Sequence, residues 1–407
     1  MQQRRMHSWM AWGRLMLFLM LVAQIASAQE PRNGPGVTAS EIKLGQTMPY
    51  SGPASAFATI GRAEQAYFAM INTQGGVNGR RIKLISLDDG FNPAKTVEQT
   101  RKLVEEDQVL ALFNSLGPGQ QAVKKYVSQN KVPHLFIGSG AREWDDPKQF
   151  PWSMGFAPAF EAEGRAFGSY ILQHYPHAKV GVLAVNLDLG RDGLQGLQEV
   201  LAQNGGAIVV QVAWHEYTDP TVDSQLVALK AAGADVLVDW SNPKTAAQVI
   251  RKLHDIGWRP LHLLSFVSSS IEAVLRPAGL EKSIGIVTTG FLKHPSDPTW
   301  RGDPAMNEYL AWMKKFYPDG DTADAYNVYA YLAAETMTYV LKQCGDDLTR
   351  ENVMRKAASI HDLELPLLLP GLKVNTSASN YRPVSYLQLL RFDGTRWARI
   401  AGVWDQR

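Results

Sequence analysis

Short apolar segments alternate with amphipathic helical ones almost without interruption between residues 42 and 289, and that alternation commits the chain to parallel sheets covered by helices. Residues 42–46 read as a strand, and 60–72 as a helix carrying Ala63, Ala66, Tyr67 and Met70 on one side. Gly75-Gly76 and Asn78-Gly79 mark the turn back. Strands are expected at 82–87, 109–113 and 134–137, with helices at 94–106 and 120–129 between them. The pattern restarts near Glu161, with helices at 161–174, 192–204, 222–232 and 245–256 and strands at 180–185, 208–212, 236–240 and 261–264. A last strand (286–289) and two helices (304–316 and 326–343) precede a hairpin that turns at Asp393-Gly394 between 386–390 and 396–400. The fold class is α/β, with two doubly wound, Rossmann-like lobes in tandem.

The first 28 residues stand outside this pattern. Arg4, Arg5 and Arg14 are followed by the apolar run 15–22 and then by Ala26-Ser27-Ala28. Basic, apolar and small-residue regions in that order predict an export signal cleaved after Ala28, and hence a periplasmic location. The run is shorter than the roughly 20 residues a membrane span needs. The 41 Lys and Arg, less the three leader arginines, stand against 39 Asp and Glu, so the exported chain is close to neutral. No general basic field exists to attract nucleic acid. Cys344 is the single cysteine, so neither an internal disulfide nor a cysteine-rich zinc cluster can form.

Open α/β sheets bind ligands beyond the carboxyl ends of their strands, so the residues just after each strand are the candidates. The first strand runs into Tyr50-Ser51-Gly52-Pro53, the third into Asn114-Ser115-Leu116-Gly117-Pro118-Gly119, and the fourth into Gly138-Ser139-Gly140-Ala141. Glycine-rich loops that enter helices present backbone N–H groups and a positive dipole end, which suits a carboxylate without any lysine. Tyr50, Trp144, Trp152, Phe156, Trp240, Phe266 and Tyr326 also fall near strand ends and crossovers, where together they would wall an apolar pocket.

Other chemistries find less support. Gly117 to Ala122 matches a dinucleotide fingerprint, but it follows the third strand, Pro118 removes one N–H, and no acid ends the next strand to grip a ribose. Asp188, Asp192, Gly193 and Glu199 fit four calcium-loop positions, yet Gly190 stands where a ligand belongs. The nine histidines form no zinc-type pair, and no nucleophile with a base is found. No metal, cofactor or enzymatic activity is expected.

Four stretches resemble the exported solute-binding proteins of branched-chain amino-acid-type importers. They are 42–45 leading into Tyr50-Ser51-Gly52-Pro53; 72–79 leading into Arg80-Arg81-Ile82; Leu87-Asp88-Asp89-Gly90 with Pro93; and 184–193. The resemblance implies the type I periplasmic binding fold, in which two lobes joined by three crossovers close over a small ligand. It implies lobes at 37–157 plus 286–365 and at 158–285 plus 366–407. It implies a monomer whose partners are an ABC permease and its ATPase subunits. In the family the loop at 115–119 holds the ligand carboxylate, so Ser115, Leu116 and Gly117 are candidates, with Ser139, Gly140 and Ala141 as the second grip. Tyr50, Ser51, Leu189, Asp239, Trp240 and Phe266 complete the candidate set.

The second-lobe strand that ends Leu264-Ser265-Phe266 would offer an acid to a ligand ammonium, but Val267-Ser268-Ser269-Ser270 follows instead. A buried ammonium without a counter-charge is costly, so a carboxylate lacking an α-amino group, aromatic or otherwise, is favoured over an amino acid. Asp239 is the residue that could restore an amino-acid ligand. The alternative to transport is an extracytoplasmic sensor that feeds a regulatory partner.

Overall fold

The computed structural model describes residues 32–204 and 206–405, so the expected leader lies outside the described residues. The first lobe is built on β1 (Glu41–Met48), β2 (Arg81–Asp88), β3 (Ala111–Phe113), β4 (His134–Ile137) and β5 (Ser153–Gly155). They form one parallel sheet in the order β2-β1-β3-β4-β5. The second lobe contains β6 (Lys179–Val185), β7 (Ile208–His215), β8 (Val236–Trp240), β9 (Leu261–Leu264), β10 (Val287–Gly290), β11 (Tyr386–Phe392) and β12 (Trp397–Asp405). Its order is β12-β11-β10-β9-β8-β6-β7, parallel except for the terminal hairpin β11–β12. The first five strands of each lobe thus share one doubly wound order, 2-1-3-4-5, with its switch point beside the lobe's first strand.

Helices α1 (Ala58–Thr73), α2 (Pro93–Arg101) and α3 (Gly119–Gln129) cover the first sheet, and α4 (Phe160–His174), α5 (Asp188–Asn204), α6 (Asp223–Ala231) and α7 (Pro243–Asp255) the second. The starts of α2 and α7 are written locally: Asn92 and Asn242 accept from helical N–H groups, and proline follows each cap. The segment 94–106 is α-helical only to Arg101 and ends in a π-turn over Lys102–Glu106. Helix α5 begins at Asp188, four residues before the expected start.

Helices α8 (Pro304–Phe316), α9 (Ala325–Gln343) and α10 (Arg350–Ala357) return to the first lobe. Fifteen of the nineteen residues of α9 are buried, which makes it a core element packed between α1 and α8 and carries its first turns into the interlobe region. Residues 286–290 do not belong with the first lobe as expected: Val287 and Thr288 pair with Leu263 and Leu264, and β11 lies antiparallel on their other side. Conversely, Leu367, Leu372, Val374, Tyr381 and Val384 pack in the first lobe's core, so the third crossover comes close to β11 rather than at 366.

Candidate functional site

Residues that follow the strands of both sheets line a single cavity of about 690 Å³. The first lobe contributes Phe91 after β2, Leu116, Gly117 and Pro118 after β3, and Ser139 after β4. The second contributes Leu187 to Leu189 after β6, Tyr217 after β7, Asn242 after β8 and Phe266 after β9. Phe291 and Leu292 on the crossover after β10, Leu369 from the first-lobe segment before β11, and Tyr326 and Tyr329 from α9 join the two walls.

The rims of the lobes touch, so this is a closed cleft. The rings of Phe91 and Tyr217 lie 4.3 Å apart, centroid to centroid. Tyr326 Oη donates to the Val267 carbonyl at 2.8 Å, and Ser270 meets Asp324 at 3.2 Å. On another rim the Arg142 backbone N–H donates to Asp192 Oδ2 at 2.9 Å, and Gln121 donates to Asp188. Gly117 has φ +110°, and the Phe91 ring stands 3.0 Å from where a Cβ would sit, so this loop needs glycine on both counts.

Of the predicted residues, Leu116, Gly117, Ser139, Leu189 and Phe266 come together on the cavity wall. Ala141 packs just behind them with Trp144, Phe160 and Phe266. The others point elsewhere. Ser115 is buried, its Oγ accepting from the Thr47 N–H. Gly140 lies under Pro158, whose carbonyl would stand 1.9 Å from an added Cβ. Tyr50 bonds Ser86, and burial pushes its hydroxyl up to about 12; Ser51 is exposed and bonds Asp88.

Asp239 and Trp240 are corrected more sharply. Asp239 is fully buried, accepting from the Ser241 N–H and facing His262 at 3.2 Å, so no ligand reaches it. Trp240 is roofed by α5, where Gly193 leaves room for an indole that would otherwise lie 2.4 Å from a Cβ. Among the other aromatic candidates, Trp144 and Tyr326 reach the cavity, whereas Trp152 and Phe156 do not.

The residue that organises the second wall was not foreseen. Glu163, on the first turn of α4, is fully buried between the ends of β8, β9 and β10. It accepts from the Phe266 N–H at 2.8 Å, Thr289 Oγ at 2.8 Å and Trp240 Nε1 at 3.0 Å, with Ser265 as a further donor. Burial pushes its carboxyl up to about 7, against the pull of these donors. Nothing in the sequence separates it from an ordinary first-turn acid.

The acids lining the cavity are Asp188 and Asp297. Asp188 holds the Gln121 amide, and burial, reinforced by Glu143 and Asp192, pushes it up to about 6. Asp297 caps the Thr299 N–H at 2.8 Å and lies 3.7 Å from Arg396. Arg191, Arg396 and Arg399 stand on the same lining. His294 does too, but burial drives it down to about 4, so it is neutral near pH 7. Among the described residues no group of three or more His, Cys, Asp or Glu could hold a metal ion.

The sequence model of the family described as "Periplasmic binding protein" matches residues 41–396, nearly the whole of both lobes. The chain belongs to that family. Its curated relatives include Leu/Ile/Val-binding protein homolog 1 of Brucella suis, 24% identical over 322 residues, covering 77% of this chain and 81% of that protein. Homolog 7 of Brucella abortus is 23% identical over 351 residues, covering 81% and 84%. Among solved structures, a branched-chain amino acid ABC transporter protein from Thermus thermophilus with bound valine superposes with a TM-score of 0.82 at 16% identity, over 91% of this chain and 97% of its own. A fatty acid ABC transporter substrate-binding protein from Thermomonospora curvata superposes with a TM-score of 0.77 at 22% identity, over 92% and 95%. The fold is therefore the type I periplasmic binding fold. Proteins of this type are receptors, not enzymes; they bind small molecules and work with ABC transporters. Among the described residues no helix is long and apolar enough to cross a membrane.

Proposed function

We propose that this periplasmic binding protein delivers a carboxylate with an apolar, preferably aromatic body and no α-amino group to an ABC permease and its ATPase subunits. The observation that carries this reading is the charge inventory of the cleft. Two aspartates line it and both are already engaged, Asp188 by Gln121 and Asp297 by Thr299 and Arg396. Of the three lining arginines, Arg396 is itself held by Asp297 and Asp393, which leaves Arg191 and Arg399. An ammonium would have to take one of the aspartates from its present partners or stay unpaired, and a buried unpaired charge is strongly disfavoured. A carboxylate meets no such penalty beside the Gly117 and Ser139 loops. The aromatic walls favour a flat, apolar body. The working unit is a monomer, exported by cleavage after Ala28.

A thermal-shift screen of the purified protein tests this, because a ligand that binds only the folded state raises the melting temperature by mass action. Benzoate and phenylacetate are expected to stabilise it, while leucine, valine and phenylalanine leave it unmoved. Stabilisation by the amino acids alone overturns the reading and points to Asp188 as the ammonium partner.

A further inference from the structure

The cavity does not end where the two sets of strand ends meet. It continues across the crossover segments, past Phe291 and Leu292, to Trp300 and to the start of β12 at Trp397. This annex and the Gly117 and Ser139 loops line the same cavity. Leu369 and Leu390 join Phe291, Leu292, Trp300 and Trp397 in an apolar floor. His294 and the Asp297–Arg396 pair stand at its Trp300 and Trp397 end, with Arg399 beside them. The whole space, about 690 Å³, falls well inside the range of about 300–1,000 Å³ that drug-sized ligands occupy. A compact head group held between the strand-end loops would leave the annex unfilled.

We propose that the ligand is elongated, with its carboxylate between the strand-end loops and an alkyl or arylalkyl tail laid through the annex toward Trp300 and Trp397. The step rests on the carboxylate reading above and adds the length and course of the apolar part. Half-buried Leu292 sits on the crossover between β10 and α8, and half-buried Ala398 on the terminal hairpin, so they bound the annex from two separate elements. Each can be enlarged without touching the glycine loops.

The test compares dissociation constants of benzoate, 4-phenylbutyrate, 8-phenyloctanoate and dodecanoate for the wild type, Leu292→Trp and Ala398→Trp. Affinity is expected to climb with tail length, by up to about fourfold per methylene, the equivalent of about 0.8 kcal/mol for a buried CH₂. Both tryptophan variants should lose tenfold or more for 8-phenyloctanoate and dodecanoate while holding benzoate within twofold, which also shows that they fold. Equal affinity for long and short acids, or a variant that weakens all four alike, overturns the annex and leaves the carboxylate reading standing. Binding of leucine with none of the four acids overturns that reading, and the annex with it.

Discussion

Each lobe buries one glutamate on its first helix, Glu64 on α1 and Glu163 on α4, and the two acids are treated in opposite ways. Both side chains are inaccessible to solvent, and burial raises both carboxyls. Glu64 receives the Gln46 amide on one oxygen, while its Oε1 has no partner among the described residues. Glu163 gathers donors from β8, β9, β10 and the Phe266 backbone. The first acid is an inclusion in a wall. The second ties three strand ends together directly under a cleft residue, so the second lobe's ligand-facing surface hangs on a buried carboxyl hub. The first lobe's buried polar network runs instead through Gln46 and Asn114 to the cavity residue Tyr329.

The strongest way to break this contrast is to make both sites apolar. Glu163→Leu strands the Phe266 N–H, the Trp240 indole and two hydroxyls, and each buried unsatisfied donor costs roughly 1–3 kcal/mol. A loss of about 3 kcal/mol or more is expected in urea unfolding, together with weaker ligand binding through a displaced Phe266. Glu64→Leu should cost no more than about 1 kcal/mol, because Gln46 keeps the Asn114 carbonyl and an unpartnered oxygen disappears. Equal losses would mean that the hub is not special.

A second measurement sharpens it through pH. A carboxyl whose folded value rises from 4.5 to about 7 keeps its proton in the folded chain where the unfolded chain has released it. That stabilisation is complete below about pH 4.5 and is lost as pH climbs to about 7. It is on the order of 3 kcal/mol for a shift of this size. Glu163→Gln, which cannot ionise, should flatten the fall in stability across that window. The slope that remains has the same sign and is shared by Glu64, Glu335, Asp188 and Asp324, whose carboxyls burial also raises. An unchanged slope in the variant would place the effect elsewhere.

How far these features were legible in the sequence follows from what is local. Strands such as His134–Ile137 and helices such as α3 were readable to within a residue or two, because β-branched and aromatic runs and amphipathic spacing are properties of a few neighbours. The lobe to which β10 belongs was not, because its partner β11 lies about a hundred residues further on and Ile286-Val287-Thr288-Thr289 carries no mark of it. Strand ends indicated where a cleft would form, and the Gly117 and Ser139 loops do line it. Which way a strand-end side chain faces was beyond reach. Trp240 turns inward because Gly193, on a helix 47 positions earlier, lets α5 lie against it, and a glycine inside a helix does not announce that use. Glu163 reads in sequence as a dipole-favoured acid in a first helical turn, and only the convergence of three strand ends on it reveals its other role.

The smallest expected effect separates contacts within a lobe from contacts between lobes. Asp192, at the start of α5 in the second lobe, accepts from the Arg142 backbone N–H of the first lobe at 2.9 Å, with the Arg142 side chain 3.7 Å away. That guanidinium is 56% exposed, so the ion pair adds little and the backbone bond carries most of the contact. Losing about 1 kcal/mol from the closed form alone weakens binding about fivefold, because affinity falls with the fraction of molecules that are closed. Asp192→Ala should therefore release ligand about fivefold faster while its urea midpoint hardly moves. Asp223→Ala is the matched control: Asp223 accepts from Lys252 and Thr221, all within the second lobe, so its loss should leave affinity unchanged. If both variants weaken binding alike, the contact at Asp192 supports its lobe and does not hold the cleft shut.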